Sequence, residues 1–409
     1  MEMKNTPKGG LLTLKGMETS RYTVSFLFDA SGHVGDFIRE GVFSIKSNRK
    51  ITLDREELAS VFYLGFAPLC WILGAEYRSA LPVTGSARAC LDKLGAYLCH
   101  HYGWEQSDPL RHIATISSLR HINTIAPVSH IDTISPPSRK QNKNALLFSG
   151  GVDSLSAFFQ YRKEIHTLIQ LSNFDYVKET LSSAQLNSGL AFGRSFAAGH
   201  GKEYLHIETN FAHVITHKAL DHYFPGECSF WYGLQHVSHL AVSAAIVGDH
   251  FEKVYVAGSN DELHRQVGSC ASREEFVNLY APGYRLCLVE EGVERQRKIE
   301  FLADTCPDCL KKLRVCFTSG DPVCCKCVKC LGTALMIIAG DIPLEQTVFP
   351  AAICKSLFPI LHTLARTENK FILYEQSLSG RSLHGSHADR IVQLFQKVWQ
   401  TYQRFRGMP

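Results

Sequence analysis

From residue 144 onward, short apolar runs alternate with longer helical patterns, and this alternation constrains the fold more than any other feature of the sequence. Strands that alternate with helices form a parallel sheet covered by helices on both faces. We therefore predict an α/β fold with a parallel sheet, followed by a mostly helical tail. The predicted strands are 145–148, 166–171, 204–208 and 254–257, and the predicted helices are 155–163, 176–199 and 231–247.

The segment before this pattern is predicted to be a separate accessory α/β domain with a linker, over residues 1–138, followed by a larger domain over residues 139–409. Turn-forming residues around Pro137 mark the boundary. Just before it, the sequence His-Ile-X-Thr-Ile recurs with a nine-residue period. Three histidines could bind a metal, but an extended linker with solvated imidazoles is the simpler interpretation. The repeats begin at His112, His121 and His130.

Within the N-terminal segment, Asp54 and Glu57 have the spacing of a capping box, which marks the start of a helix over 54–67. Pro68 is expected to end or kink this helix, because proline lacks the N–H that the helix needs. Nothing else in the segment points to a particular chemistry. Two further elements are predicted, a strand over 22–28 and a helix over 89–101.

Composition places the chain among soluble proteins. No apolar run is long enough to be predicted as a membrane span, and the polar N-terminus lacks a signal-peptide core, so we expect a cytoplasmic protein. Its fourteen cysteines should then be reduced unless they hold a metal. The net charge of +4 is too small to indicate direct nucleic-acid binding, which we do not expect.

The sequence Ser149-Gly-Gly-Val-Asp-Ser154 lies where a phosphate site is expected, between a predicted strand and a predicted helix. Glycines let the main chain approach a ligand closely, and successive amides at a helix N-terminus attract phosphate. Asp153 is unusual beside phosphates unless a cation is shared, which favours Mg²⁺. The loop matches neither G-x-x-x-x-G-K-[ST] nor G-x-G-x-x-G. A plain turn is the alternative.

This motif resembles the PP-loop of the N-type ATP pyrophosphatases. The resemblance implies the PP-loop type of α/β fold and a reaction in which ATP adenylates a carbonyl or carboxylate oxygen. It assigns catalytic roles to Ser149, Asp153 and Ser154. The residues expected to bind ATP are Phe148, Ser149, Gly150, Gly151, Val152, Asp153, Ser154 and Leu155.

Four cysteines further along have the spacing of a structural zinc site, C-x7-C-x2-C-x2-C. Because four thiolates close the coordination shell, the predicted Zn²⁺ would be structural. Cys325 is an alternative to the second ligand, with less usual spacing. Cys306 and Cys309 form another C-x2-C pair, which we interpret as local structure or a thiol pair. The predicted zinc ligands are Cys316, Cys324, Cys327 and Cys330.

The loop and the cysteines in this order resemble the 7-cyano-7-deazaguanine synthase (QueC) family, over roughly residues 144–345. The basic stretch 294–299 resembles that family too. The resemblance implies adenylation of a 7-deazaguanine carboxylate, a deazapurine, followed by amide formation. Arg295 and Lys298 could stabilise the developing charge, or they could lie on a solvated helix face.

About 140 residues precede this core, as in the enlarged QueC-like proteins of the Qat anti-phage system and of type IV CBASS. That likeness implies that the carboxylate is joined to a protein amine, supplied by a partner or acceptor from the same defence operon. The N-terminal segment would then bind the acceptor or assemble a complex. A homodimer is also possible. Val152 departs from the polar residue that can stand in the loop, which leaves individual phosphate contacts undetermined.

Three alternatives are kept. The chain could be a 7-cyano-7-deazaguanine synthase that uses ammonia, or a catalytically silent scaffold that binds nucleotide. It could also be a tRNA-thiolating PP-loop enzyme, which would need a reactive cysteine or iron–sulfur ligands. The widely spaced candidates for that role are Cys228, Cys270 and Cys287.

Overall fold

The computed structural model of the chain describes residues 9–79, 81–90, 143–173, 183–224, 229–258, 285–316, 322–364 and 376–406. In these residues, nine strands form one sheet with the order β4-β1-β2-β3-β7-β6-β5-β8-β9. The fold is therefore α/β, as the sequence predicts. The strands are β1 Gly10–Thr19, β2 Thr23–Gly32, β3 Val42–Ser47, β4 Glu76–Ser79, β5 Asn144–Leu147, β6 Ile165–Ser172, β7 Glu203–Thr209, β8 Lys253–Ala257 and β9 Arg285–Val289.

The sheet has two halves with different strand directions. Strands β7, β6, β5, β8 and β9 are all parallel to their neighbours in this half. In the other half β1, β2 and β3 are antiparallel and β4 is parallel to β1. The halves join where Ser47 of β3 lies opposite Ile207 of β7. The predicted boundary at residue 138 stays a prediction, but the chain on both sides of it contributes to the same sheet.

Helices lie around this sheet and account for most of the remaining described residues. The C-terminal tail is mostly helical, as predicted. The main helices are α1 Arg55–Leu73, α2 Val152–Tyr161, α3 Ser183–Gly199, α4 His236–Ala245, α5 Arg295–Thr305, α6 Val328–Ala339, α7 Ile353–Leu364 and α8 His387–Arg406. Shorter helical segments are His33–Phe37, 85–90, Phe211–Val214, His217–Leu220, Trp231–Gln235, Gly248–His250, Pro307–Leu310, Leu344–Gln346 and Gln376–Ser379.

Strand β5 shows that both faces of the parallel half are covered. Ala145 and Leu147 pack into one buried core, and Leu146 and Phe148 pack into the other. Successive side chains of a strand point to opposite faces, so this strand contributes to two separate cores. The first core extends under the antiparallel half and contains α1. The second core contains α2, α5 and α6.

Helix α1 departs from the sequence prediction at Pro68. The predicted capping box forms, with Asp54 Oδ1 accepting from the Glu57 N–H at 2.8 Å. The helix nevertheless continues through Pro68 to Leu73. The missing proline N–H would leave the carbonyl of Leu64 without its helical partner, and the Ser238 hydroxyl donates to that carbonyl at 2.9 Å. This replacement bond explains why the proline does not end the helix.

Helix α1 is also long and apolar enough to cross a membrane by length and composition alone. However, 83% of its most apolar window is buried inside the protein, which is typical of the core helix of a soluble protein. The cytoplasmic location stays a prediction. The three histidine repeats and nearly all of the predicted helix over 89–101 lie outside the described residues.

Candidate functional site

The Ser149–Ser154 motif forms the predicted junction between β5 and α2. Gly150 has φ +77°, a left-handed conformation that favours glycine. A Cβ atom there would meet the ring of Phe192 at 2.5 Å. The hydroxyl of Ser154 is buried and accepts from the N–H groups of Ser149 and Gly150 at 3.3 and 3.1 Å. Ser154 therefore holds the loop in shape, whereas the exposed Ser149 can reach a ligand.

Three other residues of the predicted ATP-binding set have buried side chains. Phe148 stacks on Phe196 with 4.8 Å between ring centroids, and both Val152 and Leu155 pack into the same core. These residues can offer only their main chain to a ligand. At the N-terminus of α2, the first N–H groups have no carbonyl partner within the helix, so they are suited to an anion.

The loop lies at the point where the parallel half of the sheet reverses its strand order. From β5 the chain goes to β6 and β7 on one side, and then to β8 and β9 on the other. Ligands of open α/β sheets bind in the crevice at the carboxyl ends of the strands at such a point. The Ser149–Ser154 loop follows β5, and Gly258 and Glu290 follow β8 and β9 at the same edge.

Two cations from α5 converge on Asp153 in this crevice. Arg295 Nη2 lies 2.5 Å from Asp153 Oδ2, and its Nε lies 3.3 Å from Oδ1, so the pair is bidentate. Lys298 Nζ lies 3.6 Å from Oδ1. Both cations are buried, and Lys298 is 1% exposed. The interpretation of Arg295 and Lys298 as a solvated helix face is therefore wrong, because α5 packs this face against α2.

The partners of Asp153 control its ionisation. Burial alone would raise the pKa of this carboxyl, but the charges of Arg295 and Lys298 outweigh burial and lower it. Asp153 is therefore ionised at neutral pH and offers carboxylate oxygens, which are ligands that Mg²⁺ prefers. Its side chain stays 22% exposed, so a ligand entering the crevice can reach it.

Glu290 is a member of this cluster that the sequence did not indicate. Its carboxylate is 8% exposed and lies 3.4 Å from Lys298 Nζ, and Ser156 donates to its other oxygen at 2.5 Å. Burial raises its pKa, although the charge of Lys298 opposes this change. Its backbone has φ +56°, which is uncommon outside glycine and clusters at functional sites. No local sequence motif surrounds Glu290. Its position at the end of β9 is the signal that could have identified it as a site residue.

The site combines groups that attract an anion with two carboxyl groups that pair with the cations. Lys298 also donates to the carbonyl of Gly258, so its ammonium group links the ends of β8 and β9 to the loop. Two buried cations, a helix N-terminus and a carboxyl whose ionisation burial disfavours meet in one crevice. The predicted catalytic residues Ser149, Asp153, Ser154, Arg295 and Lys298 therefore lie together, although two of them come from a helix more than 140 residues away in sequence.

The four predicted cysteine ligands form one cluster. Their sulfur atoms all lie within 4.8 Å of one another, with 4.0 Å between Cys316 and Cys327 and 3.9 Å between Cys324 and Cys330. Sulfurs around a tetrahedral zinc with bonds of about 2.3 Å are roughly 3.8 Å apart, so the geometry fits. The Cys327 N–H donates to the Cys324 sulfur at 3.3 Å, which orients that ligand. The group could bind a metal such as zinc.

Other cysteines do not join this group within the described part of the chain. Cys325 has φ +56° and stands outside this group, which contains Cys324. Cys309 is buried, and burial raises the pKa of its thiol to about 12. Cys306 and Cys309 are not in the cluster. Cys228 and Cys270 lie outside the described residues, whereas Cys287 lies in β9.

No protein-family model matches the chain, and no curated protein matches its sequence. The function therefore has to be argued from the geometry of the loop, the charged cluster and the cysteines.

Proposed function

We propose that the chain binds ATP through the Ser149–Ser154 loop and transfers its adenylate to a carboxylate. The observation that carries this proposal is the convergence of Asp153, Arg295 and Lys298 on a glycine loop at the reversal point of a parallel sheet. The loop and the N-terminus of α2 would hold the phosphates. The membership of the PP-loop fold class, which the sequence motif implies, is part of this proposal.

Arg295 and Lys298 would act on the charge that develops during transfer. The carboxylate oxygen attacks the α-phosphorus, the bond to the bridging oxygen breaks, and pyrophosphate leaves with the electron pair. Fixed cations beside the leaving group stabilise this charge without reorganising during the reaction. Asp153 would bind Mg²⁺, which supplies further charge neutralisation when it accompanies ATP. In the described geometry Arg295 holds this carboxylate in position.

For the acid substrate we propose a 7-deazaguanine carboxylate, on the strength of the QueC-like order of loop and cysteines. An amine nitrogen then attacks the acyl carbon, AMP leaves, and one proton is released as the amide forms. The amine is proposed to be that of a protein, from a partner or acceptor of an anti-phage defence system. The N-terminal segment, whose strands β1 to β4 belong to the same sheet, would bind the acceptor or assemble a complex, as the likeness to the enlarged QueC-like proteins implies.

We propose that the metal of the cysteine cluster is Zn²⁺ with a structural role. Four thiolates at tetrahedral spacing leave no coordination position for a substrate. Among the described residues, Cys287 lies in β9 and is not a member of this four-cysteine group. Because the order of loop and cysteines is QueC-like, we prefer an adenylating ligase to a tRNA-thiolating enzyme.

Release of pyrophosphate and AMP from ATP in the presence of 7-carboxy-7-deazaguanine tests the adenylation step. We expect release that depends on the acid and is lost in Asp153→Asn. If neither product forms with this acid or with other carboxylic acids, and the protein retains its biological activity when Asp153 is replaced by Ala, the silent-scaffold alternative replaces our proposal.

Intact mass spectrometry of candidate partner proteins identifies the acceptor. After incubation with ATP and the deazaguanine acid, we expect one partner to gain the mass of the acyl group. Unmodified partners together with stoichiometric free nitrile, when ammonia is supplied, would instead identify a 7-cyano-7-deazaguanine synthase.

A further inference from the structure

The segment before the first cysteine ligand touches the phosphate loop directly. The Arg314 N–H donates to the carbonyl of Gly150 at 3.0 Å. Its own carbonyl oxygen lies 3.5 Å from the position that a Cβ on Gly151 would occupy. Its guanidinium lies 5.8 Å from the ring centre of Phe192, the residue that covers Gly150. Arg314 therefore forms one wall of the loop and helps to hold its left-handed glycine in place.

This wall is anchored at the cysteine cluster, two residues further along the chain. Cys316 contributes one of the four sulfurs, and its N–H and that of Val315 both donate to the carbonyl of Pro322. A metal bound by four thiolates fixes the backbone of each ligand, because the bonds are strong and directional. Without a metal, thiols make only weak hydrogen bonds, so the anchor of Arg314 would loosen.

The cluster also carries a cation toward the same crevice. Lys329 lies between two of the ligands, Cys327 and Cys330, in the first turn of α6. Its charge is among those that act on Asp153. The neighbouring Lys326 is exposed. Helix α6 is tied to the helix of Arg295 and Lys298, because Gln296 donates to the carbonyl of Met336 at 3.0 Å.

We propose that the four-cysteine cluster is the second wall of the phosphate site, and that its metal sets the affinity for nucleotide. The bound metal would position Arg314 against Gly150 and Lys329 as a third cation for the phosphates. This role goes beyond a structural zinc site, and it rests on the proposed ATP binding. Arg314 is a positioning residue in this scheme, whereas Lys329 contacts the ligand.

Binding of a non-hydrolysable ATP analogue, measured by calorimetry with magnesium present, tests the role of Lys329. We expect Lys329→Met to weaken binding about tenfold, since hydrogen bonds to charged groups contribute that much or more. Lys326→Met is the matched control, because it removes an equal charge from an exposed position just before α6, and it should bind as the wild type does. Metal content, measured by mass spectrometry, should stay equal in all three proteins.

Metal removal tests the role of the cluster. Protein stripped with a chelator should bind the analogue more weakly, and the Lys329→Met substitution should then cause little further loss. Amide hydrogen exchange should become faster at residues 148–155 before it does so in β1 and β2, which lie in the other half of the sheet. If the stripped protein unfolds, the comparison of Lys329→Met with Lys326→Met in the metal-loaded form still decides whether the cysteine cluster contributes a cation to the nucleotide site.

Two failures can be told apart. A metal-loaded wild type that does not bind the analogue overturns the proposed function, and this inference with it. A wild type that binds, while Lys329→Met and Lys326→Met bind equally well, overturns the inference and leaves ATP binding intact.

Discussion

The two halves of the sheet bury titratable side chains in different ways. At the carboxyl ends of the parallel strands, Arg295 and Lys298 are buried as cations, with Asp153 as their shared partner. In the core shared with the antiparallel half, the buried titratable groups include His217 and His239, which contact the aromatic rings of the surrounding core. Burial lowers the pKa of His217 to about 3 and also lowers that of His239, so both are neutral.

This difference indicates which part of the molecule contains the functional site. A buried charge is costly unless it is paired, and a protein that keeps several of them together keeps a site with a strong local field. A histidine that burial has made neutral behaves as part of an aromatic core. We therefore expect substitutions in the charged cluster of the parallel half to reduce adenylation, and substitutions in the core of the antiparallel half to reduce stability without changing adenylation.

The largest effect should come from Asp153→Asn. The change removes the negative charge that holds Arg295 and Lys298, and it removes the carboxylate proposed for Mg²⁺. We expect the rate of pyrophosphate release in the presence of the carboxylic acid substrate to fall about a thousandfold. Asp308→Asn, at an exposed carboxylate, is the control and should keep full activity. If both variants are equally active, the charged cluster of the parallel half is not the site of the chemistry.

Lys298→Met should be the most destabilising change in the charged cluster. It removes a fully buried ammonium group from between Asp153 and Glu290 and leaves buried carboxylates without that partner. Urea unfolding should show that the free energy of unfolding falls by about 3 kcal/mol. Lys311→Met removes an exposed lysine that pairs with Asp308, and its loss should stay below about 1 kcal/mol. A gain in stability for Lys298→Met would contradict our account.

The neutral histidines predict acid sensitivity. Because the folded-state pKa of His217 lies below the ordinary value near 6.5, its contribution to stability is full above pH 6.5. That contribution is lost as the pH falls from there toward 3, by about 1.4 kcal/mol per pH unit. Urea unfolding between pH 7 and 5 should show a shallower pH dependence in His217→Gln. His384→Gln, at an exposed histidine, should leave the dependence unchanged.

The smallest effect should come from Asp54→Ala in the N-terminal half. Loss of this helix cap should cost about 1 kcal/mol, and Asp54→Asn, which retains a capping oxygen, should cost less. Adenylation should be unchanged. Since one sheet spans both halves, calorimetry should show a single transition at lower temperature. A separate low-temperature transition would mean that the halves unfold independently, as the predicted boundary at residue 138 implies.

Local patterns in the sequence were sufficient for several elements. The four predicted strands of the parallel half form, and the capping box of Asp54 starts α1 where expected. Strand β9 was missed because Arg285 opens it and its five residues offer no alternation. The predicted end of α1 was wrong because Ser238, 174 residues away, donates to the carbonyl of Leu64. A local pattern cannot anticipate such a partner.

By itself, the sequence determined the α/β alternation, the glycine loop at a strand–helix junction and the four cysteines that cluster, because each depends on spacing over a few residues. Only the tertiary structure decided that Arg295 and Lys298 are buried against Asp153, that Glu290 joins them and that Arg314 braces Gly150. Those contacts depend on which strands meet at one edge of the sheet. The free energy of burying a charge depends on such partners, which spacing along the chain does not specify.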